Sequence, residues 1–256
     1  MANLNTHTLY INDQLSNATT EKIVLVIYPN GITKASFAKN NKAIEILTIT
    51  TDNTTQYMEE MLFNEIINNY LLDTKELVTH IYIAPEQGML VPAALHEPTR
   101  AEQWYRAIHF APNNHLIHQC PFDNGTAMYI MHYPKYLLQT IDTHFENARI
   151  KPLASCFSAT QKNQNTLITV HLHNAYCMLT HFEHGHLHSH QIMHNSTLEE
   201  ITQQLNIMLA NSNAYLLEVS TNDTNANAKE LIGSYFGEHM TWISQNEFYQ
   251  HLAACE

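Results

Sequence analysis

The sequence has no apolar run of the roughly 18 residues that a membrane-spanning helix needs. Its opening stretch, Met1 to Asp13, has neither a basic cluster nor a hydrophobic segment, so no secretory signal is expected and the chain reads as cytoplasmic. Basic residues are few: twelve Lys and Arg face twenty-four Asp and Glu, for a net charge of −12. With no Lys/Arg run to offset that field, nucleic acid and anionic membranes are poor partners, because phosphate contacts carry most non-specific binding. Glycine is scarce as well, six in 256 residues, which leaves little backbone able to press closely against a polyphosphate. The four cysteines, Cys120, Cys156, Cys177 and Cys255, show no C-x-x-C spacing and read as reduced, packed thiols rather than a disulfide framework.

What is present suits a globular α/β chain: 45% hydrophobic residues and 14% charged, in a length that holds one large domain or two small ones. Histidine is the anomaly. Protonating all eighteen would reverse the sign of the net charge, so the surface is expected to respond to mild acid.

Hydrophobic patterning sets the order of elements. Residues 1 to 20 are polar and aperiodic and read as a loose lead-in. Strands are expected at Lys22 to Tyr28, Thr33 to Ala38 and Lys42 to Thr50, with Pro29-Asn30-Gly31 and Lys39-Asn40-Asn41 as turns. Thr54 can cap a helix to about Leu72, with Met58 and Met61 inward and Glu59-Glu60 on the solvated face. A fourth strand covers Glu76 to Ala84. The stretch from about 86 to 125 reads as an inserted subdomain, in which Trp104 and Tyr105 either pack or anchor a partner. A strand at Ala127 to His132, a helix from Pro134, a short strand at Arg149 to Lys151 and a helix over Leu153 to Gln161 follow. Gln161 to Asn165 is the expected linker, dividing the chain into 1–163 and 164–256.

After the linker the opening repeats. Thr166 to Leu172, Ala175 to His181 and His186 to Met193 read as three strands, and Thr197 opens a helix. A strand at Ala214 to Val219, a helix at Asn225 to Tyr235, a strand at His239 to Trp242 and a helix at Asn246 to Ala254 complete it. A shift of about 144 positions overlays the halves and points to a structural repeat.

Three hairpinned strands, a helix and further strands, given twice, resemble the actin-like ATPase superfamily, of ribonuclease H-like fold. Met128-Tyr129-Ile130, the helix opened by Pro134-Lys135, and Phe145 to Pro152 leading to the hairpin Leu167 to Leu187 are similar to its pilus-assembly and cell-division members. Leu90-Val91-Pro92 after the fourth strand, with the overall length, resembles an uncharacterised Bacteroidetes domain-of-unknown-function family (number 3822) of that fold. The resemblance implies two lobes, each on a mixed sheet with a β-β-β-α-β-α pattern. It also implies ATP held between two hairpins, one per lobe, whose Asp-x-Gly turns cradle the phosphates and organise Mg²⁺.

The residues depart from that pattern. The first turn reads Tyr28-Pro29-Asn30-Gly31, where only a glycine is kept and proline removes a donor. The second, Leu172-His173-Asn174-Ala175, has neither Asp nor Gly, and Val219 to Asp223 lacks the paired glycines of an adenosine loop. No catalytic residue is therefore assigned. The leading expectation is a non-catalytic scaffold without a cofactor, binding a protein or peptide. The alternative is a weak ATP/Mg binder using Asn30, Gly31 and Asn174.

Histidines offer a third reading. His186, His188 and His190 alternate along an expected strand, which would put them on one face at about 7 Å spacing. With His184 they could chelate zinc or nickel through neutral imidazoles, or simply line a solvated face. Ser155-Cys156 has no His partner that spacing can identify, and a buried thiol is the plainer role.

Overall fold

The computed structural model describes residues 4–15, 18–51, 57–122, 125–157, 166–174, 176–210, 215–221 and 226–255. In lobe I, strands β1 (Leu4–Ile11), β2 (Lys22–Tyr28), β3 (Gly31–Phe37) and β4 (Ala43–Thr51) precede helix α1 (Glu60–Ile66) and β5 (Val78–Ile83). Next come β6 (Gly88–Pro92), α2 (Ala101–Ile108), β7 (His115–Phe122), β8 (Ala127–Pro134), α3 (Lys135–His144) and β9 (Arg149–Pro152). The second half gives β10 (Thr166–His173), β11 (Tyr176–Glu183), β12 (His186–His194), α4 (Leu198–Leu209), β13 (Leu216–Thr221), α5 (Ala226–Phe236), β14 (Met240–Ile243) and α6 (Gln245–Ala254).

The repeat is visible in the sheets. Lobe I orders its strands β1-β4-β3-β2-β5-β9, and lobe II orders its own β12-β11-β10-β13-β14. Removing β1 leaves two five-stranded sheets of the same connectivity, antiparallel through the hairpins and parallel across β2–β5–β9 and β10–β13–β14. β2 begins at Lys22 and β10 at Thr166, the expected offset. Both are central and covered on two faces, so they read as unbroken apolar runs: Ile23 to Tyr28 are each at most 1% exposed.

Four expectations are corrected. The lead-in is no loose segment: Leu4–Ile11 pairs antiparallel with β4, its polar residues lying on an exposed edge while Leu4, Leu9 and Tyr10 pack on the core. The first helix starts at Glu60, with Glu59 extended at its N-cap; Thr54 itself lies outside the described residues. It then loosens into a π-helical turn at Ile67–Leu71 and a 3₁₀ turn at Leu72–Leu77; Met61, expected inward, lies outside at 64% exposure while Met58 stays buried. The expected helix after Pro152 is a 3₁₀ turn over Leu153–Phe157, and the expected linker at 161–165 lies outside the described residues. The third sheet, β6-β8-β7, takes in β8, so the chain that builds it runs to Pro134 rather than stopping near 125.

The last helix ties the lobes together. Phe248, Tyr249, Leu252 and Ala253 of α6 enter the core of lobe I, although the helix follows the lobe II strands. Tyr82 Oη donates to Leu252 O at 2.8 Å, and Lys22 Nζ donates to Ala253 O. Left-handed positions are shared between glycine, at Gly125, Gly185 and Gly237, and asparagine or histidine, with Asn41, Asn174, His184 and Asn195 at φ between 50° and 58°. Among the described residues no helix is long and apolar enough to cross a membrane.

Candidate functional site

The ends of the two first hairpins meet. Tyr28 closes β2 and His173 closes β10, and their rings stack with centroids 3.6 Å apart, at 0% and 1% exposure. Tyr176, at the start of β11, meets Tyr28 edge-on at 6.0 Å. Ser220 Oγ donates to Val170 O at 3.3 Å, so His171 Nδ1–H donates to Ser220 Oγ at 2.9 Å. His171 Nε2 is then the acceptor for Tyr28 Oη–H at 2.8 Å. Burial lowers His171 to about 3 and, with the neighbouring His171, drives His173 well below the usual imidazole range. The junction is neutral, aromatic and dry.

Gly31 owes its place to strand packing. A Cβ there would sit 2.4 Å from Ile49 O, so only glycine lets β3 close on β4. Asn30 is 4% exposed, and its carbonyl accepts from Thr51 N at 2.8 Å. Asn174 is exposed and lines a separate cavity of about 230 Å³ with Thr197 and Thr221. Asn30 and Gly31 are not among the residues that line that cavity. ATP does not fit the hairpin junction, where Tyr28 and His173 fill the space between the turns and neither turn offers a carboxylate. Asn222 and Asp223 lie outside the described residues.

The histidines divide between two faces. The β11–β12 register steps between His181 and Phe182: Phe182 pairs with Leu187 and His181 with Ser189, so His188 is a bulged extra residue. The bulge corrects the expected common face. His190 turns inward, its Nε2 3.0 Å from Tyr129 Oη and its Nδ1 3.0 Å from Thr180 Oγ1, and burial lowers it to about 4. His188 turns the other way, toward His181 and Glu183, with ring centroids 4.9 Å apart for the two histidines. His184 sits in the hairpin turn and His186 is exposed opposite Glu183. His181 and Glu183 lie two apart on one face of β11, and hairpin pairing across the His184-Gly185 turn brings His188 beside them, a signal that needs the strand register as well as the spacing along β12.

A groove of about 560 Å³ separates the α1 end of lobe I from the third sheet. Tyr57, Met58, Phe110, Pro112, Pro134 and Tyr136 give it apolar walls, and Glu59, Glu60 and Glu86 make it acidic. Glu86 Oε1 accepts from Tyr57 N at 2.6 Å, and its carboxyl is raised by burial. Its backbone carbonyl accepts from His194 Nε2 at 2.6 Å, which joins lobe II to the groove wall. His132 Nε2 lies 3.8 Å from Glu86 Oε2, and His132 Nδ1 meets His115 Nδ1 at 3.1 Å, a pair that shares one proton. Burial lowers His132 to about 4 and lowers His115 as well, so both rings are neutral near neutrality: one donates its Nδ1–H to the other, whose own proton then sits on Nε2. Phe110 on the rim is 82% exposed, whereas Tyr105 packs fully inside with its hydroxyl on Gln87 O, and Trp104 is half-buried.

Cys156 is buried, and Ser155 Oγ donates to Pro152 O. Cys255, which spacing did not single out, lies 3.6 Å from His251 Nε2. The Cys156 thiol and then His251 hold Cys255 down to about 5, and Cys255 holds His251 up to about 9.

Comparisons with known proteins agree with this architecture. No curated sequence matches the chain. A Bacteroides thetaiotaomicron protein of actin-like ATPase fold and unknown function superposes with a TM-score of 0.70 at 16% identity, covering 93% of this chain and 97% of its own. The PilM–PilN type IV pilus biogenesis complex gives 0.55 at 11% identity, with 87% and 88% covered. The cytoplasmic domain of EpsL, an inner-membrane component of the Vibrio cholerae type II secretion system, gives 0.50 at 10%, with 91% and 95% covered. At these identities the likeness is one of fold, and the fold is that of the actin-like ATPases. Residues 12–214 match the profile of the family described as "Protein of unknown function (DUF3822)", and the chain belongs to that family.

Proposed function

We propose that this protein is a non-catalytic scaffold whose groove beside the third sheet holds an extended peptide of a protein partner. The stacking of Tyr28 on His173 at 3.6 Å carries the reading, because the fold's own side chains occupy the space between the two hairpins. A catalyst of phosphoryl transfer needs that space for fixed donors and a metal-bound polyphosphate.

The groove favours one kind of occupant. Glu59 and Glu60 stand exposed on its rim beside Glu86, and Phe110 offers a large exposed ring next to Met58 and Tyr136. A segment with a Lys or Arg flanked by apolar side chains satisfies both the charge and the walls. A fold neighbour solved as the PilM–PilN complex adds support, since that related architecture takes a protein partner.

Selection of displayed random peptides on the full chain tests this. Enriched peptides are expected to pair a cationic with an apolar residue. Their affinity should fall about tenfold or more in Phe110→Ala or in the double charge reversal of Glu59 and Glu60 to Lys. Added salt should weaken them. Calorimetry with Mg-ATP should give no binding heat. Micromolar ATP affinity, or peptide binding indifferent to these variants, would overturn the proposal.

A further inference from the structure

The bulge that turns His190 inward leaves His188 on the other face of the β11–β12 hairpin. There the pairing across the turn gathers two imidazoles and a carboxylate around one point. His181 Nε2 lies 3.6 Å from Glu183 Oε1, and His188 Nδ1 lies 3.7 Å from Glu183 Oε2. One donor atom from each of the three residues falls within 4.8 Å of the others. These separations are too long for hydrogen bonds, which close at about 2.7–3.2 Å. They match a shared ion better: bonds of about 2.0–2.1 Å in a tetrahedral shell put neighbouring ligand atoms about 3.3–3.4 Å apart.

The burial gradient points the same way. The His181 side chain is only 3% exposed, and its Nε2 has no hydrogen-bond partner among the described residues although it faces Glu183. Leaving such an atom unsatisfied costs about 1–3 kcal/mol, so the position calls for a partner. His188 and Glu183 are 58% and 44% exposed, so both can close over an ion arriving from solvent. A plainer role exists: β12 is an edge strand, and bulges with polar side chains protect edges from pairing with other chains. Edge protection does not need three donors converging on a buried, unpartnered nitrogen.

We infer that His181, Glu183 and His188 form a binding site for one Zn²⁺ ion, with His181 as the buried inner ligand and the remaining coordination position open to solvent. Two imidazoles and one carboxylate are a borderline-soft set that suits Zn²⁺ over the oxygen-loving Mg²⁺ or Ca²⁺. The site is independent of the peptide groove, from which it shares no residue.

Zinc titration of the full chain, made without a polyhistidine tag and read by competition with a chromophoric chelator, tests the inference. One Zn²⁺ per chain is expected, with micromolar or tighter affinity. Glu183→Gln and His188→Ala should each weaken it about tenfold or more, while His184→Ala and His186→Ala leave it unchanged. Both weakening substitutions are at exposed side chains, and equal melting temperatures in EDTA verify that the fold survives. Co²⁺ should give the visible bands of a four-coordinate N/O site in the parent and lose them in Glu183→Gln. Absence of uptake, several equivalents of zinc, or equal losses in His186→Ala and His188→Ala would overturn the site in favour of a diffuse histidine surface.

Discussion

Lowering the pH from 7 to 5 should loosen this protein, because its lobes are joined through neutral histidines. His171 bridges Tyr28 of lobe I to Ser220 of lobe II, and His190 bridges Tyr129 of the third sheet to Thr180. Both are lowered by burial, His171 to about 3 and His190 to about 4, against 6.5 in the unfolded chain. The unfolded state therefore binds more protons. The stability these rings contribute is whole above about pH 6.5 and is lost as the pH falls toward their folded values. At pH 5 each ring lies about 1.5 units below the unfolded value, which at 1.36 kcal/mol per unit is about 2 kcal/mol. The pair gives about 4 kcal/mol, a large share of the 5–15 kcal/mol that holds a typical domain together. Protonating His171 Nε2 also removes the acceptor for the Tyr28 hydroxyl, so the loss falls at the lobe junction. Urea unfolding at pH 7, 6 and 5, followed by far-ultraviolet circular dichroism, measures the slope. His190→Gln keeps a donor and an acceptor but cannot titrate, and it should remove about 2 kcal/mol of the pH 7-to-5 loss. That comparison isolates one ring from other groups in the range, such as Glu86, whose raised carboxyl stabilises the fold as the pH falls. The same pH loss in His190→Gln and in the parent would refute the reasoning.

Two further outcomes follow from packing. Gly31→Ala should destabilise by about 2–3 kcal/mol in chemical denaturation, because its Cβ would meet the carbonyl of Ile49 at 2.4 Å and strand β4 cannot yield without breaking its ladder. Met58→Lys should cost about 3 kcal/mol or more while Met61→Lys stays within about 0.5 kcal/mol, since Met58 is 2% exposed and Met61 64%; similar melting temperatures for the two would contradict the revised start of α1.

The sequence was legible where a single period controls the outcome. Buried central strands such as Lys22–Tyr28 and Thr166–His173 announce themselves as unbroken apolar runs, and Thr197 with Glu200 forms the capping box that opens α4. Polar edge strands carry no such signal, which is why Leu4–Ile11 reads as a lead-in until β4 pairs with it. The one-residue bulge at His188 is likewise silent in composition, yet it reverses the face of every later residue in β12. The candidate site was legible only through what it lacks. Missing carboxylates in the two turns could be read directly, whereas the ring stack that replaces them depends on a contact across more than a hundred residues.

That contact also shows how the two hairpin ends are packed against each other. A buried polar group left unsatisfied there would cost about 1–3 kcal/mol. Here Tyr28 and His173 supply a stacked apolar contact, and the Tyr28–His171–Ser220–Val170 chain satisfies each polar atom it contains. Contacts within the chain thus hold the two lobes together at this junction. The groove between α1 and the third sheet is tied to the same frame, because His194 on Glu86 O fastens its wall to lobe II.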